Sequence, residues 1–100
     1  MIAVGVLVAL KAKAGKEEDV ASLLRSAVPL VKQEAQTIVW FALRLGPSRF
    51  AIFDAFPDEA ARDAHLAGQV AATLIEHAPD LLAEPPSIEN VDVLAHKMPS

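Results

Sequence analysis

Four residues of this chain offer more chemistry than packing requires: His65, Asp54, Arg44 and Trp40. His65 ends a helical stretch beside Leu66. As a neutral imidazole it would accept a proton near neutral pH; as a structural residue it would hydrogen-bond across a helix–sheet seam. Asp54 and Arg44 are charges set in apolar runs, Phe50–Phe56 (FAIFDAF) and Thr37–Leu45 (TIVWFALRL). Asp54 could serve as a buried base and Arg44 could stabilise an anion. The plainer reading is an ion pair, because charges in buried settings are usually paired. Trp40, the sole Trp, shares a strand face with Ile38, Ala42 and Arg44. It could wall an aromatic pocket, its indole N–H orienting a ligand, or simply fill a core or subunit interface. Phe41, Phe50, Phe53 and Phe56 read as core before any cofactor cage, and Phe53 is also a second candidate wall.

The remaining chemistry is sparse. The chain has no Cys, so disulfides, thiolate metal sites and thiol catalysis are excluded. His65, His77 and His96 match no metal-ligand spacing, and no metal is expected. There is no phosphate-binding glycine loop, nucleophile elbow or dinucleotide fingerprint. A net charge of −4 with no basic stripe argues against nucleic acid and against an anionic membrane surface. The apolar start, Met1–Leu10, lacks a charged leader region, is followed by Lys11 and Lys13, and is too short to span a bilayer. It reads as a strand, and a cytoplasmic location is the default expectation.

The elements that must position these residues follow from periodicity. One hundred residues make a single domain over 1–100. A first strand covers about Ala3 to Lys13, with a turn at Ala14-Gly15. A helix from about Lys16 opens on Glu17, Glu18 and Asp19 and buries Val20, Leu23, Leu24, Ala27, Val28 and Val31. Pro29 should kink its last turn or end it early. Strands at Thr37–Leu45 and Arg49–Phe56 flank Gly46-Pro47-Ser48 and form a hairpin. Asp58 caps a helix from Glu59 to about Leu66. Gly68 breaks it, and a second piece, Gln69–Ala78, ends at Pro79. A last strand follows at Ile88–His96. The order β-α-β-β-α-β is the ferredoxin-like α+β arrangement, with both helical segments on one face of a four-stranded antiparallel sheet.

The strands are apolar on both faces. Val4, Val6, Val8 and Leu10 oppose Ala3, Leu7 and Ala9, and Phe50, Ile52 and Phe56 oppose Ala51, Phe53 and Ala55. An antiparallel sheet with one wet face would alternate apolar and polar residues. Helices cover one face only, so a second copy of the chain is the economical cover for the other, giving a homodimer packed sheet to sheet.

Val6–Lys13 followed by Gly15-Lys16-Glu17, the stretch Thr37–Leu45, and Phe53–His65 (FDAFPDEAARDAH) together resemble the antibiotic biosynthesis monooxygenase family of dimeric α+β barrels, over almost the whole chain. The resemblance implies oxidation of a small aromatic, a quinol or anthrone, by O₂ without cofactor. The protein would take a proton, stabilise the anion and exclude water. On this reading His65, which matches the family's helical His, is the proton acceptor or orienting group. Arg44 and Asp54 join it, and Trp40 and Phe53 are pocket walls. The chain departs from the family in having no Tyr and a single Asn, Asn90, where oxygenating members use such donors. Its turn Glu34-Ala35-Gln36-Thr37 stands where relatives have Pro-Gly. The alternatives are a non-catalytic small-molecule binder, a structural dimer whose pocket its own side chains fill, and a haem-degrading relative.

Overall fold

The computed structural model describes residues 1–99. Four strands form one antiparallel sheet: β1 (Val4–Lys11), β2 (Val39–Arg44), β3 (Arg49–Phe56) and β4 (Ser87–Asp92), in the spatial order β2-β3-β1-β4. Helices α1 (Glu17–Ser26), α2 (Val28–Val31), α3 (Glu59–Leu66) and α4 (Gln69–Leu81) complete the α+β ferredoxin-like fold. β1 sits centrally, pairing with β3 on one side and β4 on the other. Its Val4, Val6, Val8 and Leu10 all point into the core, where they meet Val20, Ala21 and Leu24 of α1 and Phe50, Ile52 and Phe56 of β3. Each such Val, Leu, Ile or Phe side chain contributes about 1.5–3 kcal/mol when removed fully from water.

Local chemistry explains most of the boundaries. Gly15 has φ +85°, a conformation that favours glycine, and turns the chain from β1 into α1. α1 stops at Ser26 because Pro29 has no N–H to give Arg25 and its ring would press on that carbonyl. Helix resumes at once as α2, with Pro29 in its first turn, where the missing donor costs nothing. Asp58 caps α3 by accepting the Ala61 N–H at 2.8 Å.

Two boundaries differ from the sequence expectation by more than two residues. α4 runs through Pro79 to Leu81 instead of ending there. The segment just after β1 holds that last turn: Lys13 gives its backbone N–H to Leu81 O at 2.9 Å and its ammonium to Pro79 O at 2.7 Å. A cation at a helix C-terminus also suits the helix dipole. β4 ends at Asp92, not His96; beyond it Val93 still donates to Ala3 O. β4 is polar and largely exposed along Ser87–Asp92, so the outer face is wet at this edge. Its apolar part lies on β1, β2 and β3. No helix among the described residues is long and apolar enough to cross a membrane.

Candidate active site

The site lies between the sheet and the helices. Pairing of β2 with β3 sets Trp40 opposite Asp54, and pairing of β3 with β1 sets Asp54 opposite Val6, all on the inner face. α3 lowers His65 onto that row. The imidazole is buried between two carboxylates: Nε2 stands 3.0 Å from Asp54 Oδ2, and Nδ1 stands 2.5 Å from Glu34 Oε1. The ring of Phe56 packs against it at 5.2 Å. Glu34 comes from the loop between α2 and β2, which closes on itself through Thr37. The Thr37 hydroxyl donates to Glu34 Oε1 at 2.8 Å and the Thr37 N–H to Glu34 O at 3.1 Å. Gly68 borders this carboxylate; a Cβ there would stand in ordinary contact with Glu34 Oε2 at 3.5 Å and closer, 3.3 Å, to the Ala64 and His65 carbonyl oxygens.

A ring nitrogen facing a carboxylate oxygen must donate to it. With both nitrogens so placed, the imidazolium is the form that satisfies the site. Burial pulls the His65 pKa down, but hydrogen bonds and charge from Asp54 and Glu34 outweigh it and raise the pKa above the ordinary 6.5. The expectation of a neutral imidazole that accepts a proton is therefore corrected: both nitrogens are taken. The open acceptor is Asp54. Its side chain is 2% exposed; Oδ2 meets His65, and Oδ1 is buried with no partner. Trp40 Nε1, a donor only, is likewise buried and unpartnered.

Asp54, Trp40 and His65 line one cavity of about 50 Å³ whose other walls are almost wholly apolar, among them Val6, Ile52, Leu24, Val70 and Leu74. One water needs roughly 10–15 Å³ by the same measure, so the cavity takes a ligand of several atoms. Ile75, 60% exposed, marks its open side. A metal finds no focus here, because the two carboxylates lie at opposite nitrogens of the ring instead of converging on a point. A haem ligand would need a ring nitrogen that His65 does not have free.

Two expected site residues lie elsewhere. Arg44 shares the inner face of β2 with Trp40 but sits four residues along, roughly 14 Å at about 3.4 Å per residue. It pairs with Glu18 at 3.0 Å and lies 5.0 Å over the Phe50 ring, outside the cavity. Phe53 follows the alternation of β3 to the outer face, where its ring covers Gly5 and cannot wall a pocket on the inner face. His77 and His96 are exposed.

Sequence reasoning missed Glu34 and Arg62. Glu34 follows the helical pattern by only three residues, in the turn that stands where relatives have Pro-Gly. Arg62 is 7% exposed and donates to Gly5 O and Val91 O at 3.3 Å, tying α3 to the β1–β4 pair. The available signal was its spacing: Arg62 and His65 are three apart and share a helix face.

The chain is similar to a Nitrosomonas europaea protein of unknown function, NE2512, with 51% identity over 100% of this chain and 97% of that one, at a TM-score of 0.96. It belongs to the NE2512 family. The NE2512 family fold is that of the antibiotic biosynthesis monooxygenases. One solved antibiotic biosynthesis monooxygenase is 20% identical over 92% of this chain and 99% of its own, at a TM-score of 0.77. A second Nitrosomonas europaea protein, provisionally classed as such a monooxygenase, has the same identity and coverage at 0.81. No protein-family model matches the chain, and no curated protein matches it.

Proposed function

We propose that this protein is a cofactor-independent monooxygenase that oxidises a small aromatic of quinol or anthrone type, with Asp54 as the proton acceptor. The observation that carries this reading is the pair of buried, unpartnered atoms in one apolar cavity: Asp54 Oδ1, an acceptor, and Trp40 Nε1, a donor. Leaving such groups unpaired costs roughly 1–3 kcal/mol each. An aromatic hydroxyl answers both, donating to Asp54 and accepting from Trp40. The likeness in fold to antibiotic biosynthesis monooxygenases supports the same reading.

In this mechanism the substrate hydroxyl, or the enol of an anthrone, passes its proton to Asp54. The resulting electron-rich anion is held by the indole N–H and reduces O₂ itself. For an anthrone-type substrate one oxygen atom enters the ring carbon as a carbonyl. The other leaves as water with the two hydrogens that carbon carried. Apolar walls exclude water from the anion. His65 orients Asp54 and offsets its charge, and Glu34 holds His65.

The test is oxygen uptake with a panel of quinols and anthrones. The wild type should consume O₂ above autoxidation. Asp54→Asn should lower the rate by about 10²–10⁴, the usual worth of a positioned acid–base group. Equal rates in the two proteins would remove Asp54 as the acceptor. Ligand binding without oxygen uptake would assign a binding protein instead. We further propose that two copies join through the outer sheet face, where Phe41, Leu43 and Leu7 stand exposed.

A further inference from the structure

We infer that Glu34 and His65 form a proton relay that connects Asp54 to the surface on the side of the molecule away from the substrate cavity. The inference rests on the reading of Asp54 as proton acceptor and adds a route for the proton.

Two hollows meet at one ring. The apolar cavity presents Asp54 and His65. A separate surface cleft, lined by Glu34, Gln36, Thr37, Ala64 and Gly68, presents His65 again. No other residue belongs to both. Exposure rises in order along the path: the side chains are 2% exposed at Asp54, 6% at His65 and 21% at Glu34. Each step has hydrogen-bond geometry, 3.0 Å from Asp54 Oδ2 to Nε2 and 2.5 Å from Nδ1 to Glu34 Oε1. Asp54 from β3 and Glu34 from the α2–β2 loop are the charges facing the ring. Arg62, on the same helix, turns away to Gly5 O and Val91 O.

A substrate seated in the cavity shuts Asp54 off from water on that side. A proton taken up at Oδ1 neutralises the carboxylate and removes the counter-charge that held the imidazolium. The ring then gives its Nδ1 proton to Glu34, which releases it to water in the cleft. The ring is left neutral, with its Nε2–H still donated to Asp54. One proton has entered and one has left, so the trio ends with the single negative charge with which it began. The reverse path returns a proton when the reduced oxygen needs one. Glu34 is thus a positioning residue with a second task as the outer port.

The test reads exchange of the two ring protons with water in ¹⁵N-histidine-labelled protein, with no substrate present. In the wild type the Nδ1 proton should exchange faster than the Nε2 proton. Glu34→Gln keeps the size and an acceptor oxygen but loses the base, and should slow Nδ1 exchange by at least about tenfold, a threshold set below the usual 10²–10⁴ worth of a positioned acid–base group. Glu34→Asp should restore part of the rate. Faster exchange at Nε2, or an unchanged Nδ1 rate in Glu34→Gln, would overturn the relay. The wild-type comparison stands even if a variant fails to fold. Exchange needs neither substrate nor O₂, so a protein that consumes no oxygen can still show the relay, and loss of the asymmetry with oxygen uptake intact removes the relay alone.

Discussion

At the scale of the residue, His65 is held by charge. Its folded pKa lies above the unfolded value of 6.5 because two carboxylates outweigh burial. Linkage fixes the sign. The imidazolium adds stability that is fully present below about pH 6.5 and is lost as pH rises through the raised folded pKa. Thermal melts between pH 6 and pH 9 should therefore show the melting temperature falling on the alkaline side. His65→Gln should flatten that fall, and an identical slope in both proteins would contradict it. The same substitution breaks a largely buried ion pair and strands Asp54, a change that costs about 3 kcal/mol. Of the site, His65, Asp54 and Trp40 were legible as chemically unusual residues in apolar stretches. Their mutual contact was not. Nor was it legible that Asp54 Oδ1 and Trp40 Nε1 would be left without partners, since that depends on which atoms of each side chain are already bonded.

At the scale of the element, α3 matters most, because it carries both His65 and Arg62. Its eight residues make a short helix, and short helices depend on their ends. Asp58→Ala removes the acceptor for the Ala61 N–H and should cost about 1 kcal/mol in urea unfolding. It should also loosen the His65–Asp54 contact, visible as broadening of the His65 ring signals; sharp, unshifted signals would show that packing alone places the ring. The limits of β3 and α3 follow from sequence: Arg49–Phe56 is bounded by Ser48 and Pro57, and Glu59–Leu66 by Asp58 and Gly68. The end of α4 does not. Pro79 is a local stop signal, and contacts from Lys13, 66 residues away in sequence, override it.

At the scale of the whole molecule, the open question is the outer face. Phe41 is 54% and Leu43 46% exposed there. Residues 93–99 lie back along the same side, leaving a cleft of about 530 Å³ among Val39, Phe41, Phe53 and Met98. A monomer rarely leaves a contiguous apolar patch of several hundred Å² bare. Light scattering on the eluting protein should give twice the chain mass of 10.6 kDa. Phe41→Asp should reduce it to the single chain, while a monomeric wild type would discard the dimer.

Taken alone, the sequence determined the order of elements, the apolar faces of β1 and β3 and most of the inner core; Phe41 and Val28, expected to be buried, stand 54% and 37% exposed. Those features depend on local periodicity: alternation along strands, three-to-four spacing along helices, and proline, glycine and aspartate at the breaks. Strand parity also put Asp54 and Phe53 on opposite faces of β3; that Trp40 shares the Asp54 face took the pairing of β2 with β3. The tertiary structure decided the rest. It set Glu34, 31 residues from His65, against the ring. It sent Arg44 to Glu18 and left Asp54 with one free oxygen. Each of these depends on which loop closes over which helix. Local propensity does not encode that, because the energy of a buried charge depends on partners brought from distant parts of the chain.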